Sequence, residues 1–434
     1  MNKKTIFTRI LLFCLLYCLL FILVMIIQYS GNRTSQNETP DEVIFNPKKY
    51  IISQAQNNRD YIVALSRWQD GNFIVWNRQI QQQNDEDLVI AFAEESLNRS
   101  VYNTAVTAVN RTFLSGNKRT YGSSVFLGSL DQAYKSLIAL DQEKLNRINA
   151  YIKEKSPDFL LEPNVFEFLY SRGHGNTANE ALNLIKTIIP ETVTLRLIPG
   201  ILEGYIYHLK ADSSEDYFGV LAGTAIDKIP EFLRINSDKN KVFTAEDDRI
   251  DTILNVRLGR ILLDLAVYAN DENWEGIARS IILSVLGLES YTGSIKAEYQ
   301  ISADGEISDD PASMAINTGT FYRMLDLGEY QPHAQVLASV PNHIWTWTAG
   351  GNVSASVSGN TMDISVSFPA GQTHYMIIRG VRPLAKIQLY GTDFRSDPQF
   401  ERYDSSGWTY IAAEQTLLVK MKHKSAEEHI KIFF

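Results

Sequence analysis

Cysteine is nearly absent: Cys14 and Cys18 are the only two in 434 residues, so nothing after position 18 can form a disulfide. The remaining chain must hold together through its core alone, in whatever redox compartment it sits. Metal-binding patterns are missing too. No two histidines stand four apart, no acidic calcium-type loop occurs, and thiolate ligands are lacking beyond the first 18 residues. Phosphate-cradling and dinucleotide glycine patterns are absent, as is a G-x-S-x-G nucleophile elbow, so no cofactor is expected and energy coupling and redox chemistry are disfavoured. Basic charge is in deficit, with 41 Lys and Arg against 50 Asp and Glu and a net charge of −9. This excludes a general nucleic-acid binder. No period of 30 to 50 residues recurs with the same signature residues, so consensus tetratricopeptide or ankyrin repeats are unsupported.

What is present begins with one long apolar run. Residues 10–27 read ILLFCLLYCLLFILVMII, without a charge, and Lys3, Lys4 and Arg9 precede them. Eighteen helical residues span roughly 27 Å, about a hydrocarbon core. The flanking cations put the N-terminus in the cytoplasm, so the sequence predicts an uncleaved signal anchor, a single-pass membrane protein whose bulk is periplasmic or extracellular. The membrane is then a partner through residues 1–27, and residues 28–49, polar and without periodicity, form a flexible tether.

From 50 to 289 helical spacing dominates. Leu130, Ala133, Tyr134, Leu137, Ile138, Leu145 and Ile148 share one face, as do Ala178, Ala181, Leu182, Ile185, Ile188 and Ile189. Two stretches, from Ile250 to Leu265 and from Trp274 to Leu286, are separated by the polar turn Asn270-Asp271-Glu272-Asn273 and predict an antiparallel helical hairpin. The acids Glu246, Asp247 and Asp248 are expected to cap the first of these helices. Such a series suggests an α-helical solenoid or toroid. Residues 290–339 form an acidic connecting region with Asp304, Glu306, Asp309 and Asp310. From 340 to 434 the period changes to two: IWTWTAG, NVSASVSG, MDISVSFPAG, HYMIIRG, KIQLYG, GWTYIAAEQTLLVKMKH and HIKIFF alternate apolar and polar residues, predicting an antiparallel β-sandwich. Gly359-Asn360 and Pro369-Ala370-Gly371 read as hairpin turns. The fold class expected is α+β and multidomain.

Three groups of side chains could carry chemistry. Tyr170, Arg172, His174 and Asn176 punctuate the glycine-rich stretch YSRGHGNTANEA ahead of a helix, where a base, a cation and an amide could face a substrate. Turn and capping roles suit the same residues. Tyr205, Tyr207 and His208 form a second Tyr/His cluster. Trp345 and Trp347 share one strand face, and Trp408 and Tyr410 repeat that spacing; each pair is either core or a platform for a sugar ring.

The order of helices first and β-domain second, with the terminal segment YDSSGWTYIAAEQTLLVKMKHK alternating through Leu417, Val419 and Met421, resembles helical-toroid plus β-sandwich polysaccharide-active proteins. These are the toroid-plus-sandwich polysaccharide lyases and the helical glycosidases with a terminal β-domain. The resemblance implies a glycan as ligand, bound or processed at the cell envelope, and in those lyases Asn, His, Tyr and Arg share the catalytic work, a set that 170–176 supplies. The alternative is a non-catalytic envelope scaffold or protein-interaction module built on a helical solenoid.

Overall fold

The computed structural model describes residues 58–80, 85–113, 121–211, 215–339 and 342–434. Residues Pro47–Phe434 cluster as one compact unit. The fold is α+β, helical first and antiparallel β in its C-terminal part.

The helices are α1 (Asn58–Gln79), α2 (Glu86–Asn98), α3 (Tyr102–Phe113), α4 (Tyr121–Leu127), α5 (Leu130–Lys153), α6 (Val165–Ser171), α7 (Gly175–Ile185), α8 (Ile198–Lys210), α9 (Gly219–Phe232), α10 (Thr252–Ala269), α11 (Glu272–Leu286) and α12 (Thr318–Leu325). Helix α5 buries Leu130, Ala133, Tyr134, Leu137 and Ile148, the stripe its 3.6-residue spacing predicts. The hairpin of α10 and α11 forms at the polar turn. Asn270 takes the left-handed conformation, and Asp271 accepts a hydrogen bond from the Asn273 amide at 2.9 Å to start α11. The two helices approach so closely at Gly259 that a Cβ there would meet Ile282 at 2.7 Å.

The acids before α10 do not cap it. Asp251 does, accepting from the Leu254 amide at 2.9 Å. Ile250 lies in the short strand β3 (Arg249–Asp251), and Asp247 and Asp248 take positive φ in the turn that follows β2 (Val242–Thr244). Strand β1 (Leu233–Ile235) pairs with β2. The connecting region is also more structured than its composition suggests: β4 (Ser294–Lys296), β5 (Glu298–Ile301), β6 (Ile307–Asp309) and β7 (Ala315–Asn317) pair within it or with β3.

The remaining strands are β8 (His333–Ala338), β9 (Ile344–Thr348), β10 (Gly351–Ser358), β11 (Thr361–Ser367), β12 (Thr373–Arg379), β13 (Lys386–Leu389), β14 (Thr392–Phe394), β15 (Gly407–Ile411), β16 (Thr416–Lys422) and β17 (Glu427–Phe433). They form two five-stranded antiparallel sheets, ordered β10-β11-β17-β13-β14 and β15-β16-β12-β9-β8. Ile364, Ile387 and Ile430 from the first sheet meet Met376, Ile378 and Val419 from the second in one core. Gly359-Asn360 makes the tight β10–β11 hairpin, with Ser358 opposite Thr361. Pro369-Ala370-Gly371 is no hairpin, because β11 and β12 belong to different sheets.

The second sheet is buried on both faces. Trp345, Trp347, Ile377 and Leu418 turn away from the inter-sheet core and pack with Phe92, Phe126, Leu130 and Tyr134 of the helices. This accounts for the unbroken burial of β9 and the nearly unbroken burial of β16, where a one-sided sheet would alternate.

Among the described residues no helix is long and apolar enough to cross a membrane. The longest described helix, α5, carries Asp131, Lys135, Asp141, Glu143, Lys144, Arg147 and Lys153. This corrects the placement of the chain as a single-pass membrane protein with a cytoplasmic N-terminus and a periplasmic or extracellular bulk. The apolar run 10–27 that prompted it lies outside the described residues, as does the tether 28–49.

Candidate functional site

The 170–176 segment is a tight link between α6 and α7. Gly173, at φ +79°, follows the helix end, and the His174 amide donates to the Leu169 carbonyl at 2.7 Å to close the turn. The Ala178 amide then donates to the His174 carbonyl, starting α7 without a side-chain cap. The four residues singled out there do different things. Arg172 donates through Nε to Asp141 at 2.8 Å and through Nη1 to the Ser171 hydroxyl at 3.0 Å, while its guanidinium lies 4.0 Å from the Trp345 ring centroid. Its side chain is 8% exposed. Arg172 therefore ties the helices to the sheet. A second tie runs beside it: His343 Nε2 bonds the Ser171 carbonyl at 2.9 Å, and a Cβ on Gly173 would meet the His343 ring. His174 is half-buried, its ring 6.0 Å from that of Phe168, and burial lowers its pKa. Asn176 is exposed on the first turn of α7.

The tryptophans are not platforms. Trp345 and Trp347 are 7% and 8% exposed, and Trp347 Nε1 donates to the Tyr121 carbonyl at 3.0 Å. Trp408 lies on the opposite, inter-sheet face, 5% exposed, donating to the Phe394 carbonyl at 2.9 Å. Tyr410 packs on that same core and donates to the Val381 carbonyl at 2.8 Å. The three indoles are thus committed inside the protein, while the half-buried Tyr410 is held by its hydroxyl.

Tyr170 behaves otherwise. It meets Tyr207 of α8 with ring centroids 5.6 Å apart and planes at 6°, so the structure joins the two Tyr/His clusters that the sequence holds apart. Both rings are half-buried. His208, the next residue, is anchored through Nδ1 to the Gly204 carbonyl at 2.8 Å. Three residues before Tyr170 on α6 stands Glu167, on the same helix face and reached by solvent. The protein crowding it raises its pKa, against the opposing pull of Arg172, Lys144 and His333. Burial, with Glu167 and Tyr170 adding to it, pushes the Tyr207 hydroxyl up to about 12. Lys144 is held by the Pro163 carbonyl at 2.8 Å, and Glu203 is gripped by Arg257 at 2.7 and 2.6 Å. The result is an accessible carboxyl with an elevated pKa beside a stacked tyrosine pair.

A separate cavity of about 510 Å³ lies between the 236–241 loop and the 288–315 segment; Glu306 and Asp309 of the acidic connector line it, and none of the candidate tyrosines, histidines or tryptophans does. Among the described residues no group of three or more His, Cys, Asp and Glu side chains is arranged to hold a metal ion. Glu167 was readable in principle, since it stands one helical turn before Tyr170. What hid it is that a single Glu in an amphipathic helix is ordinarily a solvated surface residue.

No protein-family model matches the chain, and no curated protein does. Among solved structures, Flavobacterium johnsoniae GH31 dextranase complexed with glucose is 9% identical at a TM-score of 0.19, covering 60% of this chain and 41% of that one. A mutant of the same enzyme complexed with isomaltotriose gives 9% identity and a TM-score of 0.19 over the same shares. The chain spans about two-fifths of the length of those enzymes. The likeness to a glycoside hydrolase is weak, comes with no diagnostic motif, and carries no argument about fold or activity.

Proposed function

We propose that the chain binds a glycan on the face built by Tyr170, Tyr207 and Glu167, and that Glu167 protonates the departing glycosidic oxygen as its bond to the anomeric carbon breaks and water adds to that carbon. The observation that carries this reading is the meeting of α6 and α8: two phenol rings stacked at 5.6 Å beside an accessible carboxyl of raised pKa. Aromatic rings suit the apolar faces of sugars, tyrosine hydroxyls suit their hydroxyl groups, and a carboxylic acid is the usual proton donor to a leaving sugar oxygen. Relative to the 170–176 set, the proposal keeps Tyr170 and leaves Arg172 as the tie between helices and sheet. His174, packed against Phe168, and the exposed Asn176 are left out of it. The architecture proposed with it is a helical solenoid or toroid over 50–289, a connector over 290–339 and a β-sandwich over 340–434.

The test is retention of the full chain on immobilised α-glucan, β-glucan, chitin and polyuronate, comparing the wild type with Tyr207→Ala and Glu167→Gln. Retention on one of these, lost in Tyr207→Ala and kept in Glu167→Gln with release of reducing ends abolished, is the expected pattern. No retention on any of them, or equal retention by Tyr207→Ala, overturns it. A protein-interaction module on the helices is the second reading, favoured by Val220 and Val267, which are 79% and 77% exposed. It predicts that Val220→Asp and Val267→Asp abolish partner capture while glycan retention is absent throughout.

A further inference from the structure

We infer that strand β10 is a dimerisation edge: it takes β10 of a second copy of this chain, antiparallel, about a two-fold axis at Ser356. Strand β10 ends its sheet, and its one ladder partner among the described residues is β11. The two-residue turn Gly359-Asn360, with Gly359 at φ +59°, makes Ser358 and Thr361 a hydrogen-bonded pair. By alternation the backbones of Ser354, Ser356 and Ser358 face β11, so the N–H and C=O groups of Ala355 and Val357 point out of the sheet. Among the described residues no backbone group bonds them there. A bulge at Asn352 and Val353, with Asn352 at φ +44°, interrupts the ladder and leaves 354–358 as the straight segment.

The other edges of the two large sheets are guarded. Strand β14 is only three residues long and carries Asp393, which accepts from Lys386 and Gln388. The outer edge of β15 is taken by the Asp397 amide, which donates to the Trp408 carbonyl at 3.0 Å. Strand β8 is half-buried along most of its length, with Ala334 packed on the core that the helices share. Strand β10 reads GNVSASVS, without a charge or a proline, the residues that ordinarily keep an edge single, and its bulge guards only its first residues.

The occupant that fits this edge is the edge itself. On a chain of net charge −9 a second copy is repelled wherever acids face acids, and β10 brings none. The acid in the neighbouring strand, Asp363 opposite Ser356, is already met by His429 at 2.9 Å and Lys431 at 3.3 Å. Centring the two-fold axis on Ser356 overlaps the whole straight segment and sets Ala355 against Val357 of the second copy, so that both outward-facing residues exchange N–H and C=O bonds. Side-chain faces then agree as well. Serines 354, 356 and 358 oppose serines on the solvent face, while Ala355 and Val357 lie on the inter-sheet face beside Ile364 and Met362. Val357 is 48% exposed there for want of a strand beyond it, and the second copy's Ala355 covers it.

The paired segment is short against the roughly 1,200 Å² of a standard interface, so the dimer is weak and reversible. The experiment is sedimentation velocity of the full chain and of Val357→Lys from low to high micromolar concentration, with mild oxidation of Ser356→Cys and Ser354→Cys read by peptide mass spectrometry. The wild type should shift toward dimer as concentration rises. Val357→Lys, which sets a charge into each copy's edge, should weaken that association roughly tenfold or more with an unchanged melting curve. Ser356→Cys should cross-link through residue 356, because the axis sets that position against itself, and Ser354→Cys should not cross-link through residue 354. The cysteine variants keep the test independent of how well Val357→Lys folds. A chain monomeric at every concentration, a dimer that Val357→Lys leaves intact, or cross-linking through residue 354, Cys14 or Cys18 in place of residue 356 overturns the inference.

Discussion

Acid should unfold this protein partly through one imidazole, His423. Its ring is 1% exposed, 5.6 Å from Phe368 and 5.4 Å from His374, with Nε2 3.4 Å from His374 Nδ1, while its own Nδ1 has no hydrogen-bond partner. Burial pushes its pKa down to about 4, against smaller upward pulls from the Ser425 backbone and Glu428. In the unfolded chain it titrates near 6.5. The folded state therefore holds the neutral ring at pH values where the unfolded state is already protonated, so the contribution is full above about 6.5 and is lost as pH falls to about 4. A difference of roughly 2.5 units at 1.36 kcal/mol each makes this loss about 3 kcal/mol. Buried acids with raised pKa values, such as Glu94, act in the opposite sense, so the measurement must be differential. Urea unfolding of the wild type and His423→Gln at pH 7 and pH 4 supplies it. The wild type should lose about 3 kcal/mol more than the variant between those values. Parallel losses in the two proteins would refute the burial argument.

Three more outcomes follow from the packing. Trp347→Ala removes an indole lodged between the sheet and α4, and should cost roughly 3 to 5 kcal/mol in chemical denaturation. Arg172→Met strips Asp141 of its partner, and should cost roughly 2 to 4 kcal/mol by thermal or urea unfolding, less than a fully buried pair because Asp141 is 18% exposed. Glu94 is fully buried with neither carboxyl oxygen hydrogen-bonded, and burial, with Asp326 and Glu95 adding to it, holds its pKa well above the usual range. The folded chain keeps that proton while the unfolded chain loses it above about 4.5, so wild-type stability should decline as pH rises past that value, and Glu94→Gln should flatten the decline in a pH series of melting temperatures.

What the sequence made legible was periodicity. The stripes on α5 and α7, the α10–α11 hairpin and strands such as β11 and β17 of the first sheet were readable because one face of each meets a core and the other meets water. Legibility failed where that asymmetry fails. Strand β8 has a mostly intermediate burial pattern and no clean alternation, so it did not stand out from the acidic connector. The Trp345 and Trp347 pair could be assigned to one strand face, but which layer covers that face is a tertiary fact, and the covering layer proved to be the helices. The site divided in the same way. Tyr170 and Tyr207 were each visible as a local cluster, whereas their stacking depends on how α6 lies against α8. Arg172 looked catalytic because a cation in a glycine turn is chemically suggestive, and only the placement of Asp141 and Trp345 reveals the ion pair and the stack.

The central claim is that a glycan lies against α6 and α8. Hydroxyl-radical footprinting read by mass spectrometry tests it most directly, comparing the full chain alone with the chain saturated by whichever polysaccharide retains it. The account predicts reduced oxidation at Tyr170 and Tyr207 together, with Trp345, Trp347 and Trp408 low and unchanged in both states because they are buried. Unchanged oxidation of Tyr170 and Tyr207 in the presence of a retained glycan, with protection elsewhere, would contradict it.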